Sequence, residues 1–555
     1  MTNLDTGGDP VERILRYHDR TKHHFHGFAR SLGYMDWANE PDPFRRYGGT
    51  PLVSLPLPEG DKTPPYDRIF EPRSAPDRPL DLSFVSELLF DSLAISAWKS
   101  FGGNTWALRV NPSSGNLHPT EGYLLAPAIE GLPGGPGVWH YAPKEHGLER
   151  RAEWTEETWG GLTDGFPEGT VFVALTSILW REAWKYGERA FRYCQHDIGH
   201  ALAALRIAAA ALGRDLRVLD GLSDEEIGAL TGVDREADYV GGEREEPDLV
   251  AAIVPAGEAA PARMAAEAAG RAANAHWTGK ANRLSAERAE WRVIDVAAEA
   301  CRKRTETPLF DRAGTAAAEA ASPIAAGKCR LFTTRGIVRR RRSAMAMDGE
   351  TSIDRETFVR MLARTVPALC PVPWDSAAWP VSVHLGLFVH RVDGLDPGLY
   401  VLARDTGDEG ALREAFREDF AWMRPEGVPG ELPLFLLAPQ DLRALSASVS
   451  CRQAIASDGA FSLAMLARFE EPIRERGAPV YRRLFWETGM IGQVLYLEAE
   501  AAGIRGTGIG CYFDEPVHEI FGLRGRAYQS LYHFTVGGPV EDPRLTTLPP
   551  YGDRQ

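Results

Sequence analysis

The sequence predicts a multidomain protein of mixed helices and strands, built as a fused duplication. Three observations predict it. At 555 residues the chain is too long for one hydrophobic core. Short β-branched, apolar runs such as GTVFVALTSIL (169–179) alternate with long helical patterns such as YGERAFRYCQHDIGHALAALRIAAAALG (186–213). Elements also recur in one order. FRYCQHDIGHALAALRIAAAALGRDLRVLDGLSDEEIGALTGV (191–233) is answered by YRRLFWETGMIGQVLYLEAEAAGIRGTGIGCYFDEPVHEIFGL (481–523), LDLSFVSELLFDSLAIS (80–96) by SIDRETFVRMLARTVPA (352–368), and GVWHYAPKEHGLERR (137–151) by GLYVLARDTGDEGAL (398–412).

The elements follow in order. Residues 1–79 form a Pro-rich arm in which few regular elements survive, expected to wrap on the body because Tyr34, Trp37, Phe44 and Tyr47 need somewhere to pack. The first domain spans 80–258. It opens with helical apolar spacing over 81–99, capped by Asp81 or Ser83. LRVNPSSGNLHPTEGYLL (108–125) begins and ends like a strand around a polar, Gly- and Pro-containing middle. A hairpin (137–151), a buried strand (169–179) and a long helix closed by Gly213 complete it. Residues 259–329 are Ala-, Glu- and Arg-rich and predict a helical connector of modest packing, and 330–555 form the second domain.

The bulk numbers exclude several classes. A net charge of -15 argues against a general nucleic-acid or anionic-membrane binder, RGIVRRRR (335–342) being a local exception. No stretch approaches the roughly 18 apolar residues that a bilayer demands, and the polar N-terminus lacks the apolar core of a signal peptide. Six scattered cysteines without a CxxC spacing suggest neither a disulfide framework nor a zinc site. The chain therefore reads as cytoplasmic. HHFH (23–26) and HDIGH (196–200) have metal-like spacing but no supporting carboxylate set, so no metal is expected.

The chemistry-bearing phrases are divided between the halves. Half one has NPSSGNLHP (111–119) where half two has PVPWDSAAWPVSVHLGLF (371–388). Half two has RRRRSAMAMDG (339–349) and GIRGTGIGCYFD (503–514), where half one has EPRSAPDRP (71–79) and LGRDLRVLDGLS (212–223). One composite site at the interface accounts for this division.

At RVNPSSGNLHPTEGYLL and WREAWKYGERAFRYC (180–194) the sequence resembles the nitroreductase superfamily, in particular its SagB/ThcOx-type dehydrogenase branch. The resemblance covers about 80–233 and 330–540. It implies an α+β fold of two nitroreductase-like domains, each a mixed, mainly antiparallel sheet flanked by helices, packed as an intrachain pseudo-dimer around FMN. Arg341, Arg342 and Ser343 match the family's Arg-Arg-Ser, with Arg340 or Arg339 as alternatives. Guanidinium forks and a hydroxyl suit a phosphate and the pyrimidine carbonyls, although a solvated basic run would read the same way. Pro112, Ser113, Ser114 and Asn116 match the segment that reaches the flavin ring from the partner subunit; short side chains around Gly115 admit a flat ligand, and the alternative is a polar turn. Gly506, Thr507, Gly508, Ile509 and Gly510 match the loop on the flavin's other face, a pattern that a tight helix-to-strand turn would also give.

Lys185 and Tyr186 match the pair that azoline-oxidising members use as base and proton relay. A lysine desolvated beside an apolar ring can accept the proton that accompanies hydride loss to flavin N5. An exposed lysine at a helix start is the plain alternative. The aligned positions in half two are Glu475 and Arg476, so one working site and one FMN per chain are expected. Arg181 and Arg189 are read as positioning residues and His118 as a minor acid–base candidate. The expected activity is FMN-dependent dehydrogenation of a heterocycle or an amino-acid- or peptide-derived substrate. The rivals are NAD(P)H-dependent nitro or quinone reduction and a flavin-less partner of a peptide-modifying complex. A small-molecule or peptide substrate is expected, with no nucleic acid or membrane partner, and further oligomerisation is left open.

Overall fold

The computed structural model describes residues 8–71, 75–239, 241–304, 310 and 332–552. Residues 305–309 and 311–331 of the expected connector, Cys329 among them, lie outside the described residues.

The Pro-rich arm opens on a helix, α1 (Pro10–Arg20), whose N-cap Asp9 accepts the Val11 N–H at 3.1 Å. The arm then lies on half one: Tyr47–Gly48 pairs with Lys280–Ala281, and β1 (Leu52–Ser54) pairs with a strand of the main sheet. Phe44 and Tyr47 are buried there, whereas Tyr34 and Trp37 stay largely exposed.

Helix α2 (Leu82–Phe90) starts where Asp81 accepts the Phe84 N–H at 2.7 Å. It ends well before residue 99 because Ile95–Phe101 (β2) pairs with Asn104–Arg109 (β3). Strand pairing overrides the helical spacing of the sequence there. The polar middle of the phrase 108–125 then bridges β3 and β4 (Thr120–Ala126).

Strands β5 (Gly137–Ala142), β6 (Gly147–Glu153), β7 (Val171–Ser177), β8 (Arg214–Val218), β9 (Glu246–Pro255) and β10 (His276–Trp277) join β4 in one sheet of order β10-β6-β5-β4-β7-β9-β8. Helices α3 (Leu179–Tyr186) and α4 (Ala190–Ala211) lie between β7 and β8 in the chain. The expected connector differs from a loosely packed helix. It does hold α5 (Ala266–Ala273), but β10 extends the sheet, and Trp277, Ala268 and Ala272 share a core with Trp154 and Trp159. Up to residue 304 it is part of half one.

Half two runs from α6 (Thr334–Arg340) and α7 (Arg355–Ala363) through β11 (Val383–Val389), β12 (Gly398–Leu402), β13 (Leu434–Pro439), β14 (Phe461–Arg468), α8 (Val480–Ala501), β15 (Arg505–Ile509) and β16 (Tyr528–Gly537). Its sheet has the order β13-β12-β11-β14-β16-β15. Taken from β4 and from β11, the two orders are the same: third, second, first, fourth, sixth, fifth. Neighbouring strands are antiparallel throughout both sheets.

The halves are joined through α4 and α8, each 22 residues long and buried along its whole length. They meet backbone to backbone. A Cβ on Gly199 would lie 2.1 Å from the Trp486 carbonyl oxygen, and one on Gly489 would lie 2.1 Å from that of His196. Only glycine admits so close a crossing. The result is a mixed α/β architecture of two matched units, each an antiparallel sheet flanked by helices, and no described helix is long and apolar enough to cross a membrane.

Candidate functional site

The polar middle of the phrase 108–125 forms a short left-handed turn, with Gly115, Asn116 and His118 at φ 63°, 62° and 51°. Side-chain bonds hold this unfavourable backbone. Asn116 Nδ2 donates to the Ala107 carbonyl at 2.9 Å, its Oδ1 meets His118 Nε2 at 3.0 Å, and the His118 N–H donates to Ser113 Oγ at 2.8 Å. His118 is buried and its pKa is pushed well down by burial and by Arg109 and Arg181, so it serves as a neutral orienter of Asn116. Arg181, also buried, donates to the His118 carbonyl at 2.7 Å and pairs with Glu121, which makes it a brace behind the turn.

Lys185 and Tyr186 end α3 against this turn. A Cβ on Gly115 would stand 2.7 Å from the Tyr186 hydroxyl and 3.0 Å from Lys185 Nζ. The missing side chain is what lets the ammonium and the phenol converge there. Behind them lie two buried carboxyls that the sequence reading did not select. Ser113 Oγ donates to Glu182 Oε1 at 3.3 Å, and the Ser114 N–H donates to Asp197 Oδ1 at 3.3 Å. Among the described residues Glu182 Oε2 and Asp197 Oδ2 have no partner. Burial pushes Asp197 up to about 8, and burial together with the Asp197 charge holds Glu182 well above the carboxylate range. Both shifts run the same way, so the pair holds its protons to higher pH than free carboxyls do. The available signal was an acidic residue inside an Ala- and Ile-rich helix, which sequence spacing alone presents as an i, i+1 neighbour of a histidine.

Half two meets this cluster through β15. Tyr193 of α4 packs on Tyr186 with ring centroids 4.4 Å apart, and its hydroxyl donates to the Gly510 carbonyl at 3.0 Å. GTGIG is the edge strand β15 and its exit rather than a loop. Its glycines accommodate aromatic neighbours: Phe534 stands where a Gly506 Cβ would point, Tyr532 where a Gly508 Cβ would, and Tyr193 where a Gly510 Cβ would. Ile509 is buried. Ser343 bridges to Gly506, and Ser343 Oγ and the Gly508 N–H both reach the Tyr496 hydroxyl at 2.9 Å. Thr507 Oγ1 donates to the Ala344 carbonyl at 2.8 Å.

The arginine run closes α6 and continues beyond it. Arg339 donates to the Phe90 and Ile95 carbonyls, Arg341 to the Arg109 carbonyl at 3.0 Å, and Arg342 to Ser96 Oγ at 3.2 Å, all in half one. Arg340 is exposed and paired to Glu500. Among the described residues Arg339, Arg341 and Arg342 have no carboxylate partner, and Arg341 Nε has no partner at all. Burial lowers Arg341 to about 10; burial and the neighbouring guanidiniums lower Arg342 to about 9. Buried positive charge with no counter-charge suits an anion.

Ser113, Ser114, Asn116, Lys185, Tyr186, Arg342, Thr507, Gly508 and Gly510 are half-buried, Gly115 and Ser343 are exposed, and Pro112 and Arg341 are buried. The two halves meet here through Arg341 and the Arg109 carbonyl and through Tyr193 and the Gly510 carbonyl, and all of these residues but Pro112 and Arg341 are at least partly exposed. They fit a flavin mononucleotide in donor chemistry: uncompensated guanidiniums for the phosphate, with the hydroxyls of Ser343 and Thr507 beside them. HDIGH and HHFH turn out to be structural. His196 Nδ1 meets Thr488 Oγ1 at 2.8 Å and its ring stacks on Tyr532, while the His23 N–H donates to Asp514 at 2.9 Å. That carboxylate also holds Arg189 and Arg192 at 3.2 and 3.1 Å, so arm, half one and half two are tied at one point.

Fold and site together define a class: paired antiparallel-sheet units presenting a cationic, glycine-rich groove where they join. Residues 398–538 match the model described as the nitroreductase family. A crystal structure from Anabaena variabilis assigned as a nitroreductase shares the fold over 96% of this chain and 100% of its own, with a TM-score of 0.67 and 20% identity. A protein of Methanocaldococcus jannaschii named as a nitroreductase is 25% identical over 185 residues, 32% of this chain and 87% of its own length. A chain of the E. coli microcin synthetase McbBCD complex with truncated pro-MccB17 bound is 18% identical, covering 45% of this chain and 94% of that one at a TM-score of 0.27.

Proposed function

We propose that this protein is an FMN-dependent dehydrogenase acting on a C–N bond of a heterocycle or of an amino-acid- or peptide-derived substrate, with one site per chain. The carrying observation is the convergence of Lys185 Nζ and the Tyr186 hydroxyl on Gly115, with Tyr186 packed on Tyr193, whose hydroxyl donates to the Gly510 carbonyl of half two. Bound flavin supplies a two-electron acceptor. Arg341 and Arg342 hold its phosphate, with Ser343 and Thr507 beside them, and Pro112, Ser113, Ser114 and Asn116 shape the opposite wall. Gly506, Gly508, Ile509 and Gly510 form the side contributed by half two.

The chain's own residues handle the proton. Lys185 Nζ takes it from the substrate atom next to the one that gives up hydride. Tyr186 orients the amine, its ring centroid 5.4 Å from Nζ. The Glu182–Asp197 pair behind the turn accepts or returns charge as the ammonium forms, because Lys185 is the cation that favours ionised Glu182.

The test is the purified, FMN-reconstituted chain and its Lys185→Ala variant. The expected outcome is flavin absorbance in both, with dehydrogenation lowered about a hundred- to ten-thousand-fold in the variant. Absence of flavin binding overturns the reading. So does full dehydrogenation by Lys185→Ala, or NAD(P)H-dependent nitro reduction as the sole activity of the wild-type chain.

A further inference from the structure

Six cysteines are present, and five are described. Cys194, Cys301 and Cys370 are buried, and burial pushes their thiols up. Cys451 and Cys511 differ: both are half-buried, and their thiols stand close enough to perturb each other's ionisation. Two loops of half two bring them together. The Phe513 N–H donates to the Val449 carbonyl at 2.8 Å, and Gln453 Nε2 donates to the Cys511 carbonyl at 3.1 Å. Cys451 and Arg452 are consecutive non-glycine residues in the left-handed region, at φ 54° and 59°. Left-handed backbone is unfavourable for residues with a side chain, so the surrounding bonds must impose the conformation that presents Cys451 to Cys511.

We propose that Cys451 and Cys511 are a redox-active dithiol that exchanges electrons with small disulfides and closes to an intramolecular disulfide. The assignment rests on the two loops and not on the flavin reading. Cys511 is the attacking sulfur. The neighbouring Cys451 thiol and the Arg189 guanidinium both favour its thiolate, so its pKa is held below the ordinary thiol value. Its thiolate attacks one sulfur of an external disulfide R–S–S–R; a Cys511–S–S–R bond forms, and R–S⁻ leaves and takes up the proton that Cys511 lost. Cys451 then gives up its proton and attacks Cys511 Sγ. The Cys451–Cys511 bond forms as the bond to the R–S group breaks, and the departing R–S⁻ takes the Cys451 proton. Two protein thiols are oxidised and one external disulfide is reduced to two thiols.

Closure would be felt next door. Cys511 follows Gly510, whose carbonyl accepts the Tyr193 hydroxyl, and Tyr193 packs on Tyr186. The pair is therefore placed to couple thiol redox state to the Lys185–Tyr186 groove.

The experiment uses the full chain carrying Cys329→Ser, treated with oxidised glutathione and read by thiol titration, intact mass and peptide mapping. The expected result is loss of two reactive thiols together, a mass lower by two hydrogens, no glutathione attached, a mapped Cys451–Cys511 linkage, and reversal by reduced glutathione. Cys451→Ser should trap one glutathione on Cys511, and Cys511→Ser should react about tenfold more slowly or less. Survival of both thiols, glutathione held on both cysteines without closure, or equal reactivity of Cys511→Ser overturns the proposal.

Discussion

Asp197 is the residue whose chemistry is most altered by its surroundings. It lies in a helix buried on every side, its Oδ1 accepts the Ser114 N–H at 3.3 Å, and no cation faces it closely enough to be an ion pair among the described residues. Its folded pKa of about 8 lies above the unfolded value of about 3.9. The folded chain therefore binds more protons than the unfolded chain between those limits. The sign follows: stability present at acidic pH is lost as pH rises through that window, with a slope approaching one proton. Asp197→Asn removes the slope, so relative to wild type the variant should gain thermal stability from pH 5 to pH 9. Parallel melting curves of the two proteins across that range would refute the assignment. The same variant should lose an inflection near pH 8 in the rate of dehydrogenation, because the carboxyl behind Lys185 no longer titrates.

The crossing of α4 and α8 is the element on which the assembly turns. A Cβ on Gly489 would meet backbone, the His196 carbonyl oxygen at 2.1 Å and Gly199 Cα at 2.8 Å, and backbone cannot step aside. One turn on, a Cβ on Gly492 would meet His200 Cε1 at 2.6 Å, the far end of a side chain that can rotate. Gly489→Ala should therefore cost about 3 kcal/mol or more, and Gly492→Ala clearly less. Thermal unfolding midpoints in that order check it, and equal losses would refute it. These glycines also mark how far the sequence could be read. Their matched place in two long helices, each closed by a glycine, was visible as a repeat, as were the strand 169–179 and the hairpin 137–151. That the two glycines face each other was not visible, since a repeat gives order and not docking. The helix expected over 81–99 ends at Phe90 because pairing with Asn104–Arg109 is a tertiary event that local spacing does not encode. The connector misled by composition: alanine-rich segments pack tightly when a tryptophan such as Trp277 fills the space between them. At the site the cationic and glycine-rich phrases were legible, whereas Glu182 and Asp197 were not, because burial rather than residue type gives them their character.

At the scale of the whole molecule, a duplicated chain has two junctions of pseudo-equivalent form, and their chemistry differs. Tyr496 and Arg206 each stand seven residues beyond the crossing glycine of their helix. Tyr496 faces Ser343 and the Gly508 N–H in the accessible groove. Arg206 instead holds Asp375 at 2.8 and 2.7 Å and Asp215 at 2.8 Å, with Arg217 joining Asp375 at 3.2 Å. Asp197 and Glu487, each two residues before the glycine, contrast in the same way: Asp197 lacks a cation, whereas Glu487 pairs with Arg404 and accepts the Ser382 and Val383 N–H groups. The second junction has thus neutralised its charges internally. A cavity of about 190 Å³ is left beside Phe70, Arg206, Pro371 and Asp375, below the roughly 300 Å³ of a typical ligand pocket. The binding stoichiometry should therefore be one flavin per chain. Arg341→Ala and Arg342→Ala should each weaken flavin binding about ten- to a hundredfold, the worth of a charged hydrogen bond of about 1.5–3 kcal/mol. Arg206→Ala should leave both affinity and stoichiometry unchanged. Titration of the apoprotein with FMN, followed by absorbance and calorimetry, reads these outcomes directly. Two flavins per chain, or a loss of affinity in Arg206→Ala equal to that in Arg342→Ala, would show that the two junctions share the work and that the division of the motifs between the halves has another cause.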